Sequence, residues 1–511
     1  MKGMQKGWAT IGAIALACGI AAASHPAAAQ GTDAKPQAKE VAKGGPNDRY
    51  RFYEKYALKP QADEISSYRV GFRETIKVVI DAAAGGAPER KEFSRAAVWT
   101  ESPAQLGGLN QDRVMAVVRH TEKIRANPDP RLNPNDPPLL ESTDLFVRLT
   151  GGYPQVLILA PARSLRVEEY RFLSMCPFVP DLGTLLPEGA VHLQDTWAVN
   201  RSAVQTLVSG VNGAVAIAGK LDRIEPTPDG KQKATFEIRG TAQTAFGEAQ
   251  VRAEADFLIE KLWIRPAPAG TKTAQAAGAP LQAQGVMVRL SLAQEDLRVP
   301  VGEGRRKQDI RREVLIERQL QFDGEPPKLP AELPRPTAEN SWLLFHEPKG
   351  KFQVRYPQEM RGTIEGPNEY SLQRTRREGE DRIRIKLTVD EQPKPDQFIA
   401  ELKARWADLK VQAQSGGPAE ALPEDEWLGM KVYRGDALLR LPQNGAGLGI
   451  GPNGASRLFF YGYAIQTGTR YGMKVEASTT SDPSAPFRDE VEAILKTLKF
   501  GDGADAGLGK P

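Results

Sequence analysis

The stretch Tyr68-Arg-Val-Gly-Phe-Arg-Glu-Thr-Ile-Lys-Val-Val-Ile80 is rich in β-branched and aromatic residues and reads as a long strand. Its surroundings repeat that signal. In Val114-Met-Ala-Val-Val-Arg-His120, the residues Val114, Ala116, Val118 and His120 share one face. Asp144 to Leu149 and Gln155 to Leu159 flank Gly151-Gly152-Tyr153-Pro154, a hairpin signal. Further strands are expected over Val215 to Glu225, Ala234 to Gln243, Ala249 to Leu262, Val286 to Val299 and Arg311 to Phe322. Pro266 to Gln284 is Pro/Ala/Gly/Thr-rich and reads as a long flexible loop. Helices are expected over roughly Ser164 to Met175 and from Arg201, with Val204, Leu207 and Val208 on one side. So many successive strands with so few helices imply one large antiparallel sheet over residues 49–322. Such a sheet must curl, pair face to face or be covered, because its edges and apolar face are liabilities.

Residues 323–341 hold Pro326, Pro327, Pro330, Pro334 and Pro336, a semi-rigid polyproline spacer and the clearest boundary in the chain. A second domain follows over 342–500. Phe352, Val354 and Tyr356 alternate before Pro357, and Ile383, Ile385, Leu387 and Val389 alternate strictly. Pro395-Asp396 opens a helix with Asp396 as the expected N-cap and Phe398, Ile399, Leu402, Trp406 and Leu409 as its apolar stripe. Strands are expected over Leu428 to Leu441, Arg457 to Thr467 and Tyr471 to Thr479. The last helix starts after Ser484, buries Phe487, Val491, Ile494, Leu495 and Leu498, and carries charges that match its dipole. Residues 501–511 form a Gly-rich tail.

The start of the chain gives its address. Lys2 and Lys6, the apolar run Ile11 to Ala23, and Ala27-Ala28-Ala29 before Gln30 make a secretory signal peptide over residues 1–29. Residues 30–48 read as a flexible leader. The expected location is periplasmic or extracellular. The alternative is a lipoprotein anchored through Cys18, whose preceding Ala15-Leu16-Ala17 has Ala where a lipobox has Leu. No other segment approaches the ~20 apolar residues a membrane span needs. Lys+Arg is 68 against Asp+Glu 64 in the 511 residues; without Lys2 and Lys6 it is 66 against 64, a net charge of +2. That balance and the export signal argue against a nucleic-acid binder. Removing Cys18 leaves Cys176, so the exported chain relies on its core and not on an internal disulfide.

The closing third has a Phe352-x-Val354-x-Tyr356-Pro357 opening, a run of strands, and an amphipathic helix ending in Leu498-Lys499-Phe500. In this it resembles the PsbP-like family. The resemblance implies an α/β/α sandwich and a binding or assembly-assisting role around membrane complexes. The first domain resembles the curved half-barrel of LolA-type lipoprotein carriers, which implies a concave sheet that cups an acyl chain. The Leu186-Pro-Glu-Gly189 turn followed by Asp195-Thr-Trp197 resembles uncharacterised exported bacterial proteins. The fold class expected is therefore α+β: a large, curved antiparallel sheet domain followed by a PsbP-like α/β/α sandwich.

Chemistry-bearing motifs are sparse. Gly449-Ile-Gly-Pro-Asn-Gly454 fits a dinucleotide fingerprint in spacing, but it precedes the strand Leu458-Phe-Phe-Tyr461 and contains Pro452. A phosphate site needs a helix there, so a hairpin loop is the reading. His120, His192, His346 and Cys176 lie far apart, and prolines interrupt the oxygen ligands around Asn133, Asn135 and Asp136, so no metal site is expected. Cys176, in Met175-Cys-Pro-Phe178, reads as a buried small hydrophobe. No Gly-x-Ser-x-Gly elbow occurs. His120 reads as a hydrogen-bonded core histidine. The acid pairs Glu168-Glu169 and Glu424-Asp425-Glu426 read as solvated, and Arg305-Arg306-Lys307 with Arg311-Arg312, and Arg374-Arg376-Arg377 with Arg382-Arg384, as exposed faces balanced by nearby acids. A contact with anionic headgroups or an acidic polymer is the sharper alternative for those basic patches.

No catalytic, cofactor-binding or metal-ligating residue is assigned, and no cofactor is expected. The functional expectation is a non-catalytic exported envelope protein that binds a protein partner or assists assembly. The alternatives are a carrier or sensor of a lipid or other apolar ligand held in the concave sheet, and a hydrolase assembled from distant residues.

Overall fold

The computed structural model describes residues 39–40, 47–61, 64–82, 87–107, 113–127, 142–150, 153–159, 164–208, 211–244, 247–264, 279–301, 306–375, 382–391, 393–408, 412–416, 419–427, 429–440, 457–467, 471–479 and 485–501. The signal peptide, most of the leader and tail, Gly449–Gly454, and Asn133, Asn135 and Asp136 lie outside the described residues. The chain divides into two compact units: 1–163 with 168–335, and 164–167 with 336–511.

In chain order the strands up to the proline-rich stretch are β1 (Lys39–Glu40), β2 (Tyr50–Glu54), β3 (Tyr68–Ile80), β4 (Glu89–Gly107), β5 (Arg113–Asn127), β6 (Thr143–Thr150), β7 (Tyr153–Ile158), β8 (Leu165–Arg166), β9 (Thr196–Ala198), β10 (Val211–Pro226), β11 (Gln232–Thr244), β12 (Gly247–Ile264), β13 (Leu281–Val301) and β14 (Arg306–Gln319). All but β8 join one 13-stranded sheet, ordered β7-β6-β5-β4-β3-β14-β13-β12-β11-β10-β9, with β1 on β12 and β2 on β13. Neighbours along that path are antiparallel. Only β2 runs parallel to its partner, from Leu281↔Tyr50 to Gly285↔Glu54. Two residues of the expected leader, Lys39 and Glu40, pair with Ile264 and Trp263. The expected Pro266–Gln284 loop yields its last residues to β13, which is 21 residues long, or about 70 Å at ~3.3 Å per residue.

Alternation explains how this sheet divides its two faces. Along β3, Tyr68, Val70, Phe72 and Glu74 are buried while Arg73 and Lys77 are exposed. Register carries the phase across the sheet: Phe72 faces Ile316, Ile316 faces Leu290, Leu290 faces Ala255, and Ala255 faces Phe236. A one-residue slip anywhere would turn this apolar row to water. The row is covered by the chain itself. Helix α1 (Val167–Met175), a 3-10 segment (Val179–Leu185) and helix α2 (Arg201–Leu207) follow one another. The 3-10 segment touches both β5 and β13, and α2 packs on that segment and on β10. Phe172, Leu173, Val179, Leu182, Leu185 and Val204 are all buried there, each contributing about 1.5–3 kcal/mol through the apolar surface removed from water. The face that a LolA-type carrier would leave open to an acyl chain is thus occupied by this segment, which corrects the half-barrel resemblance.

The second unit contains α3 (Ala338–Ser341), β15 (Trp342–His346), β16 (Phe352–Pro357), β17 (Arg361–Gly366), β18 (Glu369–Thr375), β19 (Arg382–Glu391), α4 (Pro395–Asp408), β20 (Gln412–Gly416), β21 (Glu420–Ala421), β22 (Lys431–Arg440), β23 (Arg457–Gln466), β24 (Tyr471–Thr479), α5 (Ala485–Leu495) and β25 (Lys499–Phe500). The four residues of α3 are closed by a capping box between Thr337 and Asn340. Pro395 begins α4, so Asp396 stands in its first turn instead of at the cap. Phe398 and Leu402 of α4 pack with Phe460 and Ala464 of β23, whereas Glu492 of α5 accepts a hydrogen bond from Tyr463 (3.4 Å) and Phe487 meets Tyr461 (5.8 Å between ring centroids). The two helices therefore use opposite phases of one strand.

This unit is not the self-contained PsbP-like sandwich expected over 342–500. It holds two sheets, an 8-stranded one and a 4-stranded one ordered β25-β16-β15-β8. The latter takes β8 from far upstream, parallel to β15 through Leu343↔Leu165 and Leu344↔Arg166. Lys499 and Phe500, expected as the end of a helix, form a strand on Gln353 and Phe352.

Candidate functional site

The two faces of the first sheet carry charge in different ways. On the covered face, charged residues occupy the apolar phase. Glu101 is 0% exposed and accepts hydrogen bonds from Tyr68 Oη (2.7 Å), Trp99 Nε1 (2.8 Å) and Arg119 Nε (2.7 Å). The Arg119 guanidinium lies 4.3 Å from the centre of the Trp99 ring. Glu54 accepts from the Met287 backbone N–H (2.6 Å), from Arg318 Nη1 (3.1 Å) and from Tyr56 Oη. Arg318 also donates to the Val179 carbonyl (3.0 Å), tying the 3-10 segment to β14. Glu74 sits between Arg95 and Arg312, with Arg312 Nε at 2.7 Å. Burial alone would raise the Glu74 carboxyl, but the two guanidiniums override it and hold it below its ordinary range. Burial raises the Tyr56 and Tyr68 phenols well above theirs.

These charges pair with one another, although Arg95 Nη1, Arg318 Nε and Asp296 Oδ1 are buried without a hydrogen-bond partner among the described residues. Arg95, Arg119, Arg312 and Arg318 face Glu54, Glu74 and Glu101, with Gln294 linking Arg312 (3.4 Å) to Asp296 (2.8 Å). Such a layer ties neighbouring strands in one register. Cys176 lies under it, buried, its Sγ 3.5 Å from the Phe172 carbonyl and its thiol pushed up to about 11 by burial. It is a packed hydrophobe and not a reactive thiolate at neutral pH.

The other residues singled out in the sequence are dispersed. His120 Nδ1 is 2.7 Å from Asp144 Oδ1, hydrogen-bonded as expected but 37% exposed instead of in the core. Glu169 is fully buried and not solvated. Arg312 turns inward while Arg311 pairs outward with Glu295 (3.0 Å). Arg374 forms a bidentate pair with Glu490 (2.6 and 2.8 Å), and Arg384 pairs with Glu365 (2.9 Å). Arg305, Arg376 and Arg377 lie outside the described residues. Among the described residues no group of three or more His, Cys, Asp or Glu is placed to hold a metal ion, and no helix is long and apolar enough to cross a membrane.

The outward face bears a groove of ≈ 690 Å³. Register builds it in two rows. One runs Arg239, Arg252, Ala293, Glu313; the next runs Glu237, Glu254, Ser291, Leu315, Arg73. The small side chains of Ser291 and Ala293 form the floor along β13, and longer charged ones rise on either side. Arg239 lies directly opposite Arg252, and Glu237 opposite Glu254. Like charges in that position cost stability. A pair along one strand, Arg239 with Glu237, and a diagonal pair, Arg289 with Glu254 (3.3 Å), offset part of it. Arg252 and Arg73 are exposed and make no ion pair among the described residues. No sequence motif marks this groove. Its only signal is charge on the polar phase of strands that the fold brings side by side.

Neither a family model nor a curated protein matches the chain. Among solved structures it is similar to Pseudomonas aeruginosa OccK11 (OpdR), at 9% identity over 81% of this chain and 94% of that one, with a TM-score of 0.10. It is likewise similar to Acinetobacter baumannii OccAB4, at 7% identity over 82% of this chain and 99% of that one, with a TM-score of 0.09. TM-scores this low assign no fold. No PsbP-like or LolA-type structure is among these neighbours, and both resemblances drawn from the sequence are corrected by the two-sheet second unit and the covered first sheet described above.

Proposed function

We propose that this chain is an exported, non-catalytic binding protein of the cell envelope, and that a protein partner docks in the groove on the outward face of its first unit. The export signal at Lys2–Ala29 gives the compartment. The observation that carries the docking reading is the contrast in charge satisfaction. The buried guanidiniums Arg119, Arg312 and Arg318 each have carboxylate partners, yet Arg73 and Arg252 stand beside a small-residue floor with none among the described residues. A groove with polar walls of both signs suits a protein surface, where electrostatic complementarity selects the partner. The concave-carrier reading loses its support because the segment Val167–Leu207 covers the inner face. The test is affinity purification from cross-linked intact cells, comparing the wild type with Arg73→Glu/Arg252→Glu. A reproducible partner that is lost in the variant supports the proposal. An identical set of captured proteins for both rejects the groove as the docking face.

A further inference from the structure

We infer that the groove recognises an extended polypeptide segment bearing two carboxylate side chains four residues apart, with a cation between them. This rests on the docking reading above and deepens it by naming the segment's chemistry. Arg252 and Arg73 are separated by β13 and β14 and by two positions along the strands. Three strand spacings of ~4.8 Å and two residues of ~3.4 Å put their backbones about 16 Å apart. An extended segment laid between them advances about 13 Å over four residues, and residues four apart share one face. Two of its carboxylates can then each meet one guanidinium as a charge-assisted, bidentate pair. The intervening same-face residue lies over Ser291 and Ala293, within reach of Glu254 on one side and Glu313 on the other. Glu313 also has no ion pair among the described residues. That position therefore takes a lysine or arginine.

The same acids discriminate between classes of ligand. A dense polyanion such as a sulfated or phosphorylated polymer would meet Arg73 and Arg252, but it would also be forced against Glu237, Glu254 and Glu313. A peptide that alternates sign avoids that repulsion. Ser291 and Thr75 of the lining add hydroxyls for its backbone.

The test is fluorescence anisotropy on the purified mature protein at low salt, with the labelled probe acetyl-Thr-Glu-Thr-Lys-Thr-Glu-Thr-amide. The control is the same composition with its two glutamates adjacent. Binding of the spaced probe at least about tenfold tighter than the control, and a further loss of about tenfold for each of Arg73→Glu and Arg252→Glu, is the expected result. Arg90→Glu, on an exposed arginine outside the groove lining, is expected to bind like the wild type. Equal binding of the two probes, or wild-type binding by the Arg73 and Arg252 variants, overturns the inference. So does tighter binding of heparin than of the spaced probe, which would point to a polyanion. If the probes fail while a partner is still captured in a groove-dependent way, the docking reading stands and only the carboxylate spacing falls.

Discussion

The covered and outward faces of the same sheet use arginine for opposite ends. On the covered face Arg119 is 2% exposed and satisfied by Glu101, a residue 0% exposed. On the outward face Arg252 is exposed and opposite another arginine, Arg239. A buried charge can be kept only with its partner in place. An exposed one costs little unpaired, and stays available to a ligand. The difference teaches that the arginines that hold this fold and those we propose for binding are told apart by phase along the strand, not by residue type.

The largest expected effect comes from breaking the buried layer. Glu101→Ala leaves Arg119, Tyr68 and Trp99 without their shared acceptor, and it should cost about 3–5 kcal/mol in urea unfolding. A loss below about 1 kcal/mol would mean that the layer does not hold the sheet. Acid probes the same layer more gently. The Glu74 carboxyl is held below its ordinary value of 4.5 in the folded protein, so its contribution is present above that value and is lost as pH falls through the lower folded-state value. The urea midpoint of the wild type should therefore drop further than that of Glu74→Gln between neutral pH and pH ~3. Parallel curves would contradict the pairing with Arg95 and Arg312.

A third expectation concerns strand approach. Gly240 has φ +153°, and a Cβ there would lie 2.0 Å from the Ala216 carbonyl oxygen. Gly240→Ala should cost about 1–3 kcal/mol by forcing β10 and β11 apart, measured as a lowered thermal midpoint. The smallest effect is expected on the outward face. Arg252→Ala should change stability by no more than about 0.5 kcal/mol while weakening partner capture. A stability loss near that of Glu101→Ala would erase the distinction between the faces.

The strands were legible because alternation is a local property. Tyr68–Ile80 has the bounds of β3, and the hydrophobic phase of residues 211–319 locates the strands to within a few residues. The long strand β4, Glu89–Gly107, was missed, because Pro103 and Gly107 and the register shifts around them blur its pattern. β8 was illegible for another reason. Two residues carry no periodicity, and their partner β15 is far away in sequence. The buried layer did leave a trace: Glu74 falls between Phe72 and Ile76, and Arg318 between Ile316 and Leu320, on the apolar phase of their strands, where a charge demands a partner. Which acid meets which base depends on register, so the pairs emerge only with the sheet. The groove is further out of reach. Arg73, Arg252 and Glu313 come from separate strands, each unremarkable where it stands.

The central claim is that the outward groove is where this protein meets its partner. It is tested most directly by placing a photo-crosslinking amino acid at Ser291, on the groove floor, and at Glu89, an exposed residue at the start of β4 outside the lining, and irradiating intact cells. A discrete cross-linked protein species from Ser291 that is absent from Glu89, and lost with Arg73→Glu/Arg252→Glu, is the result expected. No adduct from Ser291, or the same adducts from both positions, would contradict it.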